Sequence, residues 1–504
     1  MSKYDTICAV STASGTGAIA VIRLSGSESF QIVHYIFRKN GELLNINNIE
    51  PYKAYYGEIF DPIPDEKPMV DEALVTFFKS PHSYTGEDSV EISCHGSEFV
   101  QQKILELLVT RGCRLAEPGE FSKRAFINGK LDLAQAEAVA DLISSQNEAE
   151  HRIAVNQLKG GFSNELHDLR AKLVDLTSLL ELELDFSEED VEFADRTKLY
   201  ELLDTALKHI GKLTDSFRMG NAIKHGIPVA IVGETNTGKS TLLNAILGEE
   251  RAIVSDIEGT TRDTVEETFT IDGLMYRFID TAGIRETTET IEKIGIERTF
   301  KKIAEADIII GMLDGTKSVK KIIKAWKDIV NRVNVLKQKL IIVVNKTEIM
   351  DASTMFTLND EYSGYMKSTY EKNIDKNGGY MTDEYCYSIT GMDLHDIHDL
   401  MTFNYISAKD NEDVEDLKHT IRRCSKIPKL DGSTNLVTNI RHYEALMHAK
   451  ESLEQVKNGM DNKLSADLLA EDLRQALYFI GSITGEVTNG EVLNNIFGRF
   501  CIGK

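Results

Sequence analysis

The chain has 504 residues, with 57 Lys and Arg against 80 Asp and Glu for a formal charge of -23, and 42% of it is hydrophobic. That length suggests about three domains, and the composition is that of an ordinary soluble globular protein rather than a disordered or fibrous one. The acidic balance repels nucleic acid at long range, so any RNA partner needs a local basic patch or a second protein.

No run approaches the roughly 18 apolar residues of a membrane span, and Met1-Ser2-Lys3-Tyr4-Asp5 lacks the basic start and apolar stretch of a signal peptide. Cys8, Cys94, Cys113, Cys386, Cys424 and Cys501 show no C-x-x-C spacing. Reduced thiols, a cytoplasmic location and no membrane association are the expectation.

Residues 1–128 carry short β-type runs such as Ala18-Ile19-Ala20-Val21-Ile22 and Ala73-Leu74-Val75-Thr76-Phe77-Phe78, separated by Gly and Pro turns. They predict a separate α+β domain. The apolar pattern of 130–153 then predicts a helix. Phe162, Leu166, Leu169, Leu173, Leu176 and Leu180 alternate spacings of four and three, the seam of a long helix that must pack on others. Residues 464–481 have the same pattern, so helical segments flank the middle of the chain. The economical arrangement is one all-α domain made from two segments, 129–224 and 426–504, with 225–425 inserted between them.

The inserted block opens on Ile227-Pro228-Val229-Ala230-Ile231-Val232, an apolar strand, followed by Gly233-Glu234-Thr235-Asn236-Thr237-Gly238-Lys239-Ser240 and the helical Thr241-Leu242-Leu243-Asn244-Ala245-Ile246-Leu247. This is the strand, loop and helix context of a phosphate-binding loop. Backbone N–H groups and the helix N-terminus hold phosphates, Lys239 reaches the outer ones, and the Ser240 hydroxyl faces Mg²⁺.

Gly259-Thr260-Thr261-Arg262-Asp263 follows at the distance of a GTPase switch, with Thr261 as the Mg²⁺ candidate. A hairpin-like Thr268 to Leu274 leads to Asp280-Thr281-Ala282-Gly283, where Asp280 holds Mg²⁺ through water and the Gly283 N–H senses the γ-phosphate. Asn345-Lys346-Thr347-Glu348 and Ser407-Ala408-Lys409 match the base-reading motifs. Glu348 stands where an Asp is usual, and its extra methylene leaves guanine selectivity open.

Ile284 occupies the position where Ras-type proteins carry a water-orienting Gln, so catalysis must draw on another polar group. The acidic stretch Glu286 to Glu292 supplies candidates. Asn236 is either a turn former or a ligand for a monovalent cation beside the phosphates. Around 350–404 the chain is longer than the usual bridge between the base-reading motifs and rich in tyrosine, predicting an inserted surface element. At the chain end, Cys501 has the bare spacing of a prenylation site, but Gly503 is not aliphatic and a terminal Lys is not a usual acceptor.

Taken together, five sequence stretches resemble the tRNA modification GTPase family MnmE, also called TrmE, essentially end to end. They are Ala18-Ile19-Ala20-Val21-Ile22-Arg23-Leu24-Ser25-Gly26, Tyr84-Thr85-Gly86-Glu87-Asp88, Pro118-Gly119-Glu120-Phe121, Leu131-Asp132-Leu133-Ala134-Gln135-Ala136-Glu137 and Phe500-Cys501-Ile502-Gly503-Lys504. The Gly-Thr-Thr-Arg-Asp switch adds to them.

The resemblance implies an N-terminal folate-binding and dimerisation domain, a discontinuous helical domain and an inserted Ras-like GTPase. It also implies a homodimer, a heterotetramer with the flavoprotein MnmG (GidA), and tRNA as substrate. The reaction implied is addition of a carboxymethylaminomethyl or aminomethyl group to C5 of the wobble uridine. The one-carbon donor would be 5-formyl- or 5,10-methylene-tetrahydrofolate, with FAD entering only through the partner.

Folate contacts then fall on Arg23, Glu91, Lys130 and Lys504, and Cys501 belongs to the modification centre as nucleophile or binder. GTP contacts fall on Asn236, Thr237, Gly238, Lys239, Ser240, Thr241, Ser255, Asp256, Ile257, Glu258, Gly259, Thr260, Thr261, Asp280, Thr281, Ala282, Gly283, Asn345, Lys346, Glu348, Ser407, Ala408 and Lys409. Potassium ligands match Asn236, Ser255, Ile257 through its backbone, and Thr260; Mg²⁺ ligands match Ser240 and Thr261. Glu292 matches the glutamate that positions the attacking water. A ribosome-assembly type GTPase switch is the rival reading, and it leaves the N-terminal domain and the Cys501 tail without a role.

Overall fold

A computed structural model describes residues 5–63, 68–185, 196–248, 267–279, 304–334, 338–372, 401–425, 427, 435–462, 464–488 and 490–503. The chain divides into two compact units: Met1–Ser144, Ala154–Thr214 and Ile440–Lys504 form one, Ser145–Ile153 and Asp215–Asn439 the other.

In the first unit, β1 (Ile7–Val10), β2 (Ile19–Ser25), β3 (Phe37–Lys39), β4 (Glu42–Leu43), β5 (Ala54–Phe60), β6 (Met69–Phe78), β7 (Ser89–His95) and β8 (Arg114–Leu115) form one sheet in the order β4-β3-β5-β6-β7-β2-β1-β8. Among the described strands of this sheet, only β1 and β8 pair in parallel. Alternation along the strands sends Ile22, Leu24, Val75, Phe77, Val90 and Ile92 to one face, where they pack with Ile104 and Leu108 of α2 (Glu98–Thr110). The opposite face carries Tyr56, Leu74, Ser93 and Val21 in one cross-strand row and Ala54, Thr76, Glu91 and Arg23 in the next. Ile19, Tyr56 and Leu74 on that face are exposed.

The rest of this unit is helical, with α3 (Glu120–Ile127), α4 (Leu133–Ser144), α5 (Glu148–Leu158), α6 (Gly161–Asp185) and α7 (Arg196–His225) in its first stretch, the first residues of α5 and the last residues of α7 belonging to the other unit. All six residues of the leucine seam on α6 are buried. The pattern over 130–153 is two helices and not one, because Asn147 Oδ1 accepts from the Glu150 N–H (2.9 Å) while Glu150 Oε2 accepts from the Gln146 N–H (2.8 Å). That reciprocal cap starts a new helix.

The second unit brings together β9 (Ile227–Gly233), β10 (Glu267–Ile271), β11 (Leu274–Phe278), β12 (Ile308–Asp314), β13 (Lys339–Asn345) and β14 (Met401–Ile406) in the order β10-β11-β9-β12-β13-β14. β10 and β11 form an antiparallel hairpin through Asp272 and Gly273, both at positive φ (49° and 75°) as a tight two-residue turn requires. Every other pairing is parallel, and the continuous apolar runs of β12 and β13 are buried on both faces. The helices here are α8 (Lys239–Leu247), α9 (Val319–Val330), α10 (Ala352–Lys372) and α11 (Asn411–Cys424).

α10 opens the expected insertion. Tyr362 and Tyr365 lie 6.1 and 5.2 Å from the ring of Trp326, and Phe403 of β14 lies 5.7 Å from it. Both tyrosines therefore belong to the packing of this unit. Residues 373–400 lie outside the described residues.

The C-terminal segment adds α12 (Ile440–Asp461), α13 (Ala466–Thr484) and α14 (Gly490–Phe497) to the first unit, with α13 packed on α6 and α12. Among the described residues, no helix is long and apolar enough to cross a membrane.

Candidate functional site

Parallel order places the C-terminal ends of β9, β12, β13 and β14 side by side, where α/β sheets bind ligands. β9 ends in Gly233, the chain turns through Asn236 (φ 63°) and Gly238 (φ 99°), and α8 begins at Lys239. Thr237 Oγ1 donates to the Glu234 carbonyl (3.0 Å), which closes the loop. A Cβ at Gly238 would meet Asn345 Nδ2 at 2.2 Å, so this position needs glycine for space as well as for its backbone angle.

Lys239 Nζ folds back to the Gly233 and Glu234 carbonyls (2.9 and 2.7 Å). Burial pulls its pKa down, the opposing effect of Glu234 being smaller. A lysine that opens a helix and is held, among the described residues, by two backbone carbonyls suits the phosphates of a nucleotide.

Asn345, at the end of β13, joins two loops. Its Nδ2 donates to the Thr237 carbonyl (2.8 Å) and its Oδ1 accepts from the Ala408 N–H (2.9 Å). Lys346, at φ 68°, donates to the Asn236 carbonyl (3.0 Å) and to Asp314 (2.8 Å). Asp314 is a site residue that sequence motifs did not pick out; its signal is an acidic residue ending the buried run of β12. Burial alone would raise its pKa, but hydrogen bonds from Lys346 and Thr316 hold it below the usual carboxylate range. Ser407 donates its N–H to Asp413 (2.6 Å), while Thr241, Glu348 and Lys409 are exposed around this edge. Ser240 is half-buried at the start of α8.

The structure therefore gathers Asn236, Thr237, Gly238, Lys239 and Ser240 with Asn345, Lys346, Ser407 and Ala408. Ser255, Asp256, Ile257, Glu258, Gly259, Thr260, Thr261, Asp280, Thr281, Ala282, Gly283 and Glu292 lie outside the described residues.

A second constellation lies in the first unit. Arg23 and Glu91 face each other across β2 and β7, and Arg23 Nε and Nη2 both donate to Glu91 Oε1 (3.0 and 2.8 Å). The guanidinium sits over Tyr84 at 5.1 Å and Phe121 at 5.8 Å. Behind it, Ser25 bonds Thr85 (2.6 Å) and Glu87 (2.7 Å), and Arg124 joins Glu87, Glu120 and Asp5.

Lys130 Nζ donates to the Pro81 carbonyl (3.1 Å), and Cβ atoms at Gly86 would touch Asn128 and Lys130. The tail docks on this unit: Ser11 Oγ donates to the Gly503 carbonyl (3.1 Å), and a Cβ at Gly503 would meet the Val10 carbonyl at 2.2 Å. Gly119 N–H approaches the Cys501 carbonyl (3.4 Å), and the Cys501 thiol is free and exposed. Val10 and Ala9 of β1 pair Ile22 and Arg23 of β2, so the tail lies one strand from Arg23. Lys504 lies outside the described residues.

A parallel sheet with one antiparallel edge hairpin, a phosphate loop opening a helix, and an Asn-Lys loop bonded back onto it define a Ras-like P-loop G-domain, and full-length relatives named tRNA modification GTPase make the protein a GTP hydrolase. The family model described as GTP-binding protein TrmE N-terminus matches residues 6–130, and that of the MnmE helical domain matches residues 133–501. The chain belongs to the tRNA modification GTPase MnmE family. It is 47% identical to tRNA modification GTPase MnmE of Bacteroides thetaiotaomicron over 504 residues, 100% of each chain. The corresponding proteins of Bacteroides fragilis (46% over 504 residues) and Flavobacterium johnsoniae (47% over 511 residues) are likewise covered over 100% of both chains.

Asn345→Ala removes two buried hydrogen bonds and leaves the Thr237 carbonyl and Ala408 N–H without partners. The expected cost is about 2 kcal/mol in nucleotide affinity, close to a thirtyfold rise in Kd. Fluorescent GDP titration measures it, and unchanged affinity would show that this amide does not set the loop.

Proposed function

We propose that the protein is a potassium-activated, Mg²⁺-dependent GTPase that works with the flavoprotein MnmG to place a carboxymethylaminomethyl or aminomethyl group on C5 of the wobble uridine of tRNA. In this reading it acts in the cytoplasm. Residues 1–128 bind folate and dimerise, 129–224 with 426–504 form the helical domain, and 225–425 form the GTPase with its insertion around 350–404.

The observation that carries the reading is the convergence around Arg23. Segments far apart in sequence, from Arg23, Tyr84, Gly119 and Phe121 to the tail, meet in one unit whose only evident common purpose is a site. A G-domain acting purely as a switch gives that assembly nothing to do.

The residues present fit the groups the family uses. Arg23 spends Nε and Nη2 on Glu91 and leaves Nη1 without a hydrogen bond among the described residues, suited to a ligand carboxylate. Lys130 is exposed nearby in the same unit, and Lys504 follows the docked Gly503 in sequence. Folate would supply the one-carbon unit there; Cys501 would bind or attack through an accessible thiol.

In the G-domain, Ser240 and Thr261 would hold Mg²⁺, and Asn236, Ser255, Ile257 and Thr260 would hold K⁺. Asn236 suits this role because its side chain is exposed and makes no hydrogen bond among the described residues. The exposed row of Tyr56 and Leu74, with Ile19 beside it, supports a homodimer through this sheet face.

Nucleoside analysis of tRNA from a deletion strain tests the function. Loss of the C5-substituted wobble uridine is expected, restored by the wild-type gene and not by Arg23→Ala. An unchanged wobble uridine would overturn the reading and favour a ribosome-assembly switch.

A further inference from the structure

Residues 316–339 contain seven lysines (Lys317, Lys320, Lys321, Lys324, Lys327, Lys337 and Lys339) and Arg332 against a single acid, Asp328. This local charge of +7 sits in a chain of -23. α9 forms the middle of the segment and splits it by face. Ile322, Trp326 and Val330 are buried against the sheet, whereas Lys320, Lys324 and Lys327 recur at spacings of four and three on the outer face with Lys321 beside them. All four are exposed.

Lys327 lies 3.8 Å from Glu361, and Lys317, just before the helix, bonds Glu234 of the phosphate loop at 2.6 Å. Lys320, Lys321 and Lys324 have no ion pair among the described residues. Three uncompensated charges on adjoining turns repel one another, so the face is suited to an anionic partner.

The composition of the face selects that partner's chemistry. Protein interfaces deplete lysine and centre on aromatic or arginine anchors, and no large apolar side chain on α9 is exposed. A membrane-surface helix inserts its apolar face, but here that face is already buried in the sheet. Lysines alone, as flexible point charges, match a phosphate backbone held by charge and not by sequence. Lys320 to Lys327 spans about 10 Å of helix axis, the reach of about three phosphates of one strand.

We propose that the outer face of α9 binds the phosphate backbone of tRNA. This assigns a surface to the tRNA substrate of the proposed function and rests on that reading. It resolves how so acidic a protein approaches RNA: the approach is local, through Lys320, Lys321 and Lys324.

The test uses the full-length protein and an unmodified tRNA transcript, with fluorescence polarisation across a KCl series. Lys320→Ala/Lys321→Ala/Lys324→Ala is expected to weaken binding at least tenfold at moderate salt, and to reduce the slope of log K against log salt by about 2 to 3. GTP turnover without RNA should stay at the wild-type rate, which shows that the G-domain is folded. A control that removes as much charge elsewhere, Lys172→Ala/Lys208→Ala/Lys212→Ala, should bind nearly as wild type does.

The proposal is overturned by wild-type affinity in the α9 variant, by an equal loss in the control, or by a loss with no change in salt slope. A variant that loses MnmG but keeps tRNA overturns it in favour of a protein dock. Wild-type protein that ignores tRNA also overturns this surface, while the wobble-uridine analysis decides the function separately.

Discussion

Glu292→Ala is expected to lower single-turnover GTP hydrolysis by about 10² to 10⁴-fold, the usual contribution of a positioned general base or water-orienting group, while leaving nucleotide affinity nearly unchanged. The two effects separate because, among the described residues, the phosphate loop is fixed by Thr237 on the Glu234 carbonyl, Lys239 on the Gly233 and Glu234 carbonyls, Asn345 on Thr237 and Lys346 on Asn236. None of them involves Glu292. Ile284 offers no amide or carboxylate to the attacking water, so no neighbour at the usual position substitutes for the lost group. Wild-type turnover in Glu292→Ala would remove it from the catalytic role. The same assay in Na⁺ and K⁺ tests Asn236: equal rates in the two salts would count against its cation role.

How much of this was legible in the sequence depended on how local each feature is. The phosphate loop could be read directly, since strand, turn and helix occupy consecutive residues and Gly233 to Ser240 carry the chemistry themselves. The α6 seam was equally plain because one periodicity sets one buried face. The break between α4 and α5 was present as Asn147-x-x-Glu150, but the apolar pattern across it looked continuous. Asp314 could not be placed, because its meeting with Lys346 depends on β12 lying next to β13. Tyr362 and Tyr365 looked like surface by composition, yet they pack around Trp326, whose position is set by α9. The docking of Gly503 on Val10 closes a loop of almost the whole chain, and no local signal encodes such a contact.

Arg441→Ala is expected to destabilise the helical part of the first unit by about 3 to 5 kcal/mol, the cost of stripping a buried carboxylate of its partner. Glu137 of α4 accepts from Arg441 Nε and Nη2 (both 3.0 Å) and is bonded to His442 Nε2 (2.6 Å). The same guanidinium donates to the Ser482 and Ile483 carbonyls at the end of α13 (2.8 and 3.1 Å), so one side chain joins α4, α12 and α13.

Burial would raise the Glu137 pKa, but His442 and Arg441 outweigh it and hold it at about 2. Burial pulls the His442 pKa down and prevails over Glu137; the ring stacks on Phe162 at 5.4 Å, and its Nδ1 has no hydrogen-bond partner among the described residues. The imidazole is therefore neutral near pH 7, where it serves Glu137 through the Nε2 hydrogen bond alone, and the charge that compensates the carboxylate there is that of Arg441.

The sign of the pH dependence follows. Stability from Glu137 is complete above its unfolded pKa of about 4.5 and is lost as pH falls toward 2. His442 adds a loss that begins as pH drops below 6.5, where the unfolded chain takes up the proton first. Without Arg441, the Glu137 carboxyl titrates higher and acid unfolding starts earlier.

Hydrogen exchange of the α4 and α12 amides measures the opening free energy, and Arg441→Lys should fall between wild type and Arg441→Ala because an ammonium cannot form both bonds at once. A loss below about 1 kcal/mol, the ceiling for an exposed pair, would mean that water reaches Glu137 and that the three helices are held by apolar packing alone.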